Sequence, residues 1–320
     1  MGQLLLIGIA AGAASALLVA GVAAGTVLAV PLFYLAPLPI MVAGLAFSHW
    51  AALIGLGAAA IALGIAFSTT FLTAYLIGIG GPAWALAYAA LLAREDAAGR
   101  GGLVWFSVTG LVFLSGVLAT VGTVLGLLSV AGDHETYQAA VATAFEAFVQ
   151  VQKDAGGPGM SAADAADMAG LVGTILPALA AVLSMVTQLI CLYLAGRAAM
   201  ISGRLARPWP DLTSLRLPPV ASLLLAVLVA GSVAPGMIGL AASAAGSALV
   251  MAFALAGFAT LHGLTRGRTA RPLILTGAWV ATLALGWPVL VAAVFGLVDT
   301  MFDLRTRIGS GGAPPAANDR

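Results

Sequence analysis

The chain has 320 residues, 62% of them hydrophobic and only 8% charged, with a formal net charge of +1 and a mean hydropathy of +1.09. Soluble domains carry about 25% charged residues, so this chain lacks the polar surface to face water on every side. The near-neutral balance excludes a basic nucleic-acid surface, and one cysteine with three scattered histidines gives no disulfide and no metal-ligand motif.

The fold these numbers imply is all-α, a polytopic transmembrane helix bundle. No Asp, Glu, Lys or Arg occurs in residues 1–93, 101–132, 168–196, 217–265 or 272–298. A crossing takes about 20 apolar residues, so these stretches hold about eight or nine spans. The segment 1–304 is expected to form a single transmembrane domain, with an external amphipathic insertion near 133–167 and a mostly disordered tail over 305–320.

The first span, near 3–23, continues past the length of a signal's apolar core and has no basic residues before it, so it is expected to be retained. Gly8, Gly12 and Ala16 recur every four residues. Small residues let helix backbones approach closely, either within the chain or as a docking face for a partner subunit. The second span, near 27–47, contains Pro31, Pro37 and Pro39. Proline releases backbone carbonyls, which are tolerated at depth only inside protein or beside a cavity. Pro37 and Pro39 are therefore candidate substrate-binding positions. His49, beside Trp50 at the end of this span, is another candidate, or an interfacial anchor. Spans near 50–68 and 70–93 follow, the latter interrupted by Gly80-Gly81-Pro82.

Arginines concentrate in islands 94–100, 197–216 and 266–271, whereas 133–167 carries six acidic residues against Lys153. By the positive-inside rule the arginine islands and the amino terminus are expected to be cytoplasmic and 133–167 external. Within that segment Tyr137, Val141, Ala144 and Phe148 form a helical stripe, and Ser161 with Asp164 reads as the next helix start. Its helix is expected to lie on the bundle or the interface, or else to cover an external cavity. In the span over 168–196, Gln188 sits among Ser184, Thr187, Cys191 and Tyr193, as interhelical glue or as the lining of a polar cavity. Spans near 218–233 and 236–262 come next. The last stretch is either one crossing or a re-entrant hairpin hinged at Trp287-Pro288, with arms too short to cross fully. It ends in Asp299, Asp303, Arg305 and Arg307, expected as an interfacial ion cluster on a continuous helix, with Asp303 one turn from both Asp299 and Arg307.

Two segments, Gly296-Leu-Val-Asp-Thr-Met-Phe-Asp-Leu-Arg305 and Ala36-Pro37-Leu-Pro39-Ile-Met-Val-Ala-Gly44-Leu, resemble the YybS-like family of uncharacterised bacterial membrane proteins. That family is distantly similar to the S components of energy-coupling-factor transporters. The resemblance implies a small-molecule pocket and a small-residue docking face on the first span, here Gly8, Gly12 and Ala16. The chain has more spans than the six usual for S components.

The functional expectation is an integral protein of the bacterial cytoplasmic membrane that binds or transports a small molecule. It has no Walker-type motif, so any ATPase would belong to a partner. The alternatives are a structural scaffold for partner proteins or a lipid-handling protein. With no ionisable group near the middle of any span, neither proton pumping nor catalysis is expected, and no cofactor is implied.

Overall fold

The computed structural model describes residues 2–25, 28–95, 102–156 and 160–309. Part of the 94–100 island, residues 157–159 of the expected external insertion and the 310–320 stretch of the expected tail lie outside the described residues.

Helices dominate: α1 (Gly2–Ala20), α2 (Ala29–Tyr34), α3 (Pro37–Ala46), α4 (His49–Ala66), α5 (Thr69–Tyr75), α6 (Gly81–Ala90), α7 (Val108–Val130), α8 (His134–Asp154), α9 (Ala162–Ile201), α10 (Val220–Gly231), α11 (Gly236–Leu264), α12 (Arg271–Leu285), α13 (Pro288–Phe302) and α14 (Leu304–Gly309). Between α6 and α7 a short antiparallel pair, β1 (Ala93–Glu95) and β2 (Leu103–Trp105), forms on either side of the charged island, with Arg94 and Glu95 in its first strand. Among the described residues seven helical segments are long and apolar enough to cross a membrane: 2–23, 29–46, 49–66, 69–90, 108–130, 162–201 and 236–264. The remaining apolar runs of the expected eight or nine become the shorter α10, α12 and α13.

The turns follow a recurrent Phe-Ser signal. Phe47-Ser48, Phe67-Ser68 and Phe106-Ser107 each end one segment and cap the next, with the serine Oγ accepting from Trp50, Phe71 and Gly110 N–H respectively. Each cap satisfies a donor that helix geometry leaves unpaired. Asp133 and Ser161 do the same for α8 and α9.

Within the segment expected as one transmembrane domain, packing separates two compact units. Unit 1 holds residues 1–209 and 229–248, and unit 2 holds residues 210–228 and 249–320. In unit 1, α1 and α4 run parallel in close contact. A β-carbon at Gly8 would stand 2.7 Å from Ala51 O, and one at Gly12 2.5 Å from Gly55 O. Gly8, Gly12 and Ala16 are thus buried against α4 of the same chain. The face expected to dock a partner is already covered, because backbone-to-backbone contact leaves no room for a second helix there.

Arg207 Nη1 donates to Ala90 O at 2.9 Å and Phe106 O at 3.3 Å, and Arg204 lies over the Phe47 ring at 4.6 Å. The carboxyl ends of α3, α6 and α9 and the start of α7 therefore share one end of unit 1. Because Gly8 of α1 packs at Ala51, near the start of α4, the first turns of α1 lie there too. Ala131 and Tyr137 pack at the opposite end, where the acidic segment begins. This is the alternation that the arginine and acidic islands imply.

Helix α9 has 40 residues, roughly 60 Å against a hydrocarbon core of about 30 Å, so it extends well past the bilayer. Helix α8 packs along its first turns as an antiparallel hairpin, with Tyr137 and Val141 against Gly173. The buried side of α8 is Tyr137 with the half-buried Val141 and Phe145. The stripe expected to run through Ala144 to Phe148 is corrected here, for both are exposed, Phe148 by 55%.

Unit 2 settles the last stretch. Trp279 of α12 stacks on Phe258 of α11 at 4.5 Å, and Gly296 of α13 packs against Phe253 and Gly257 of α11. Helix α12 thus runs back along α11, and α13 returns beside it after a turn at Gly286, φ 74°. Each arm has 15 residues, about 22 Å, less than the core thickness. The hairpin hinged beside Trp287-Pro288 is the arrangement adopted.

Candidate functional site

Prolines explain where unit 1 is polar inside. Proline has no N–H, so the carbonyl four residues before it loses its helical donor. Pro82 deprives Gly78 O in this way, and the chain between α5 and α6 relaxes into a π-helical turn, Leu76–Gly80. Such turns recur at functional positions. Gln188 Nε2 of α9 reaches this turn and donates to Gly78 O at 3.4 Å and Ile79 O at 3.3 Å. Pro177 frees Gly173 O likewise, and the Tyr137 hydroxyl donates to it at 2.8 Å. In both cases the freed carbonyl belongs to a glycine, whose missing side chain leaves the carbonyl approachable.

A second interruption separates α2 from α3, where Pro37 and Pro39 open α3 and the chain pivots at Leu35–Ala36. Cys191 Sγ, one turn beyond Gln188, donates to Tyr34 O at 3.4 Å. Ser15 Oγ of α1 donates to Ala36 O at 2.7 Å, so its contact with Tyr75 OH, also 2.7 Å, is one in which the tyrosine donates. One face of α9 therefore holds both interruptions. Gly78 stands about a dozen residues, roughly 18 Å, from the arginine end of α6, which places the turn in the middle of the bilayer.

The structure brings Gln188 to the α5–α6 interruption, and Pro37 and Pro39 to the neighbouring one. Pro37 is fully buried and Pro39 half-buried. His49 does not join them: it opens α4 at the arginine end, edge-on to Tyr88 at 5.3 Å and beside Trp50. Gln188 is 2% exposed, and its Oε1 has no hydrogen-bond partner among the described residues. A buried amide oxygen without a donor is costly, and it is the one acceptor among the buried unpartnered side-chain atoms of unit 1's described residues that carries no proton in any form, the others being Trp84 Nε1, His134 Nδ1 and Arg207 Nε. Tyr75 and Ser15 are members of this site that residue-type reasoning passes over, and Pro82 is one that it reads only as a break in the span. The spacing shared by Gly78-x-x-x-Pro82 and Gly173-x-x-x-Pro177 is the sequence signal that marks such carbonyls.

The terminal charges belong to unit 2 and form two pairs of different character. Asp299, 3% exposed, accepts from Arg305 Nε at 2.9 Å, Arg305 N at 3.1 Å and Thr260 Oγ1 at 3.1 Å. Arg305 also donates to Leu215 O at 2.6 Å and to Thr213 O, tying the 211–217 segment to α11 and α13. Asp303 pairs with Arg216 instead and is exposed. The Thr306 hydroxyl, then Arg216, hold its carboxyl below the ordinary value. The continuous terminal helix expected through Arg307 is corrected: Asp303 takes φ 52°, α13 ends at Phe302, and α14 restarts at Leu304. Arg266 pairs with Asp211 at 3.1 Å, and the Thr213 hydroxyl and amide hold the Asp211 carboxyl low. Because Arg266 and Arg305 both donate to Thr213, the two ends of the α12–α13 hairpin lie on one side.

Among the described residues no group of three His, Cys, Asp or Glu side chains gathers to hold a metal ion. No curated protein and no solved structure matches the chain. Its apolar helices make it a multi-pass membrane protein. A family model described as "Predicted membrane protein (DUF2232)" matches residues 12–301, and the chain belongs to that family.

Proposed function

We propose that this protein binds a small polar molecule at the paired helix interruptions of unit 1 and passes it across the bilayer, without an ATPase of its own. The observation that supports this reading is that two spans are interrupted at depth and both interruptions are held by Gln188 and Cys191 on one face of α9. Irregular backbone persists inside a membrane only where protein or a cavity surrounds it, and interrupted helices near the midplane are where carriers build binding sites. The resemblance to the YybS-like family, and through it to vitamin-binding S components, points the same way. The arginine end of each unit is the cytoplasmic one on this reading, in a bacterial inner membrane.

The docking of a partner subunit through α1 is not part of the proposal, since α4 occupies that face. Mass spectrometry of protein purified from native membranes tests the reading. A small molecule enriched with the wild type and lost with Gln188→Leu supports it. Equal small-molecule content in both, and in an unrelated membrane protein prepared alongside, overturns it.

A further inference from the structure

We propose that the interruption between α5 and α6 binds a desolvated monovalent cation, with Gln188 Oε1 and the carbonyl oxygens of Gly78 and Ile79 as its ligands. The inference rests on the reading of this interruption as a binding locus and names an ion that enters it beside the small molecule.

The first ground is the polarity of the site. Pro82, at the start of α6, removes an N–H that would face the turn. What remains is a set of hard oxygen acceptors: Gly78 O, Ile79 O and Gln188 Oε1. Such a set suits an alkali cation, and carriers use unwound carbonyls for this purpose. It does not suit an anion, because the amide nitrogen that reaches the turn already donates to its carbonyls.

The second ground is the orphaned oxygen. Among the described residues Gln188 Oε1 is buried without a donor, on the same amide whose nitrogen touches both carbonyls. Rotation about the terminal side-chain torsion, which is soft and two-fold, exchanges the amide oxygen and nitrogen. The oxygen then joins the carbonyls to surround a cation. With the nitrogen on the carbonyls the oxygen is left over.

The third ground is charge. The stretches 1–93 and 168–196, which supply every ligand, contain no Asp, Glu, Lys or Arg. A neutral oxygen cage at depth repays the dehydration of a single charge far more readily than that of a double one.

The test uses the full chain in lipid nanodiscs, with thermal stability measured in sodium, potassium or N-methylglucamine chloride at equal ionic strength. The expected result is a saturable rise in Tm with one alkali cation. Gln188→Leu should abolish the rise, and Gln188→Glu should move its midpoint at least ten-fold lower. Pro82→Ala restores an N–H for Gly78 O and should move the midpoint at least ten-fold higher. If Gln188→Leu does not fold, the opposite shifts of Gln188→Glu and Pro82→Ala decide. Identical Tm in all three salts, or a rise whose midpoint is unmoved by these variants, overturns the proposal. A copurified small molecule without cation dependence leaves the small-molecule reading standing and rejects only this one.

Discussion

Arg305 reaches back six residues to Asp299, Nε to Oδ2 at 2.9 Å, across a break in the helix that carries the aspartate. On an unbroken helix two residues at that spacing point about 120° apart and cannot meet. The left-handed conformation of Asp303 is what turns Arg305 home. The pair is nearly dry, with side-chain exposures of 14% and 2%. Removing one member of a buried pair strands the other and costs about 3–5 kcal/mol. Asp299→Asn should therefore lower Tm strongly. Asp303→Asn keeps a residue type that tolerates positive φ and loses only an exposed pair, so its Tm should stay near wild type. Equal Tm losses for the two variants would show that the buried pair does not hold the terminus.

Two glycines of α4 offer a test of opposite signs. A β-carbon at Gly55 would stand 2.9 Å from Gly8 O and 3.3 Å from Gly12 N, whereas one at Gly57 meets nothing within 4 Å. Backbone atoms cannot step aside as a flexible side chain can. Gly55→Ala should destabilise by about 1–3 kcal/mol, as over-packing does. Gly57→Ala should stabilise by up to about 1 kcal/mol, because alanine restricts the unfolded chain and favours helix. Thermal unfolding of both variants decides it, and a stabilising Gly55→Ala would refute the close crossing of α1 and α4.

Much of this was legible because the bilayer imposes a single length scale. The charge-free stretches gave the crossings, and arginine placement gave an alternation that the contacts of Arg207 and Arg204 repeat. The small residues of α1 announced a close approach but not its partner, since the spacing of Gly8 and Gly12 suits a helix of the same chain as well as another subunit. The terminal cluster was legible in composition and misjudged in geometry. Nothing local marks Asp303 as left-handed, because a remote contact, Arg305 with the 213–215 carbonyls, selects that conformation. Gln188 stood out as a polar residue in a span. Its target was hidden because it lies more than a hundred positions away in sequence.

The amino terminus of α8 should respond to acid. Asp133 Oδ1 accepts from Thr136 N at 2.8 Å, and that hydrogen bond holds its carboxyl below the ordinary 3.8. A carboxylate with a lowered folded value contributes fully above the unfolded value and loses the contribution as pH falls through the folded one. Hydrogen exchange of the Glu135–Gln138 amides, corrected for intrinsic rate, should be protected at pH 6 and lose protection only below about pH 4. Asp133→Ala should lose it at both. Protection in that variant equal to wild type at pH 6 would dismiss the cap.

The α12–α13 hairpin makes the last prediction. Helix α12 starts just after Arg268, α13 ends beside Arg305, and Arg266 and Arg305 share Thr213 as acceptor. Both ends of the hairpin must therefore open to the same side of the membrane, whereas one continuous crossing over 272–298 would place them on opposite sides. Arms of about 22 Å bring the turn at Gly286-Trp287 only part of the way through a core of about 30 Å, so the hinge should reach neither aqueous phase. In a Cys191→Ala background, Thr269→Cys and Thr306→Cys, both exposed positions, should react with a membrane-impermeant maleimide from one and the same side of sealed vesicles. Trp287→Cys should react from neither side until detergent is added. Labelling of Thr269→Cys and Thr306→Cys from opposite faces, or of Trp287→Cys from the face opposite to Thr269→Cys, would mean that the segment crosses.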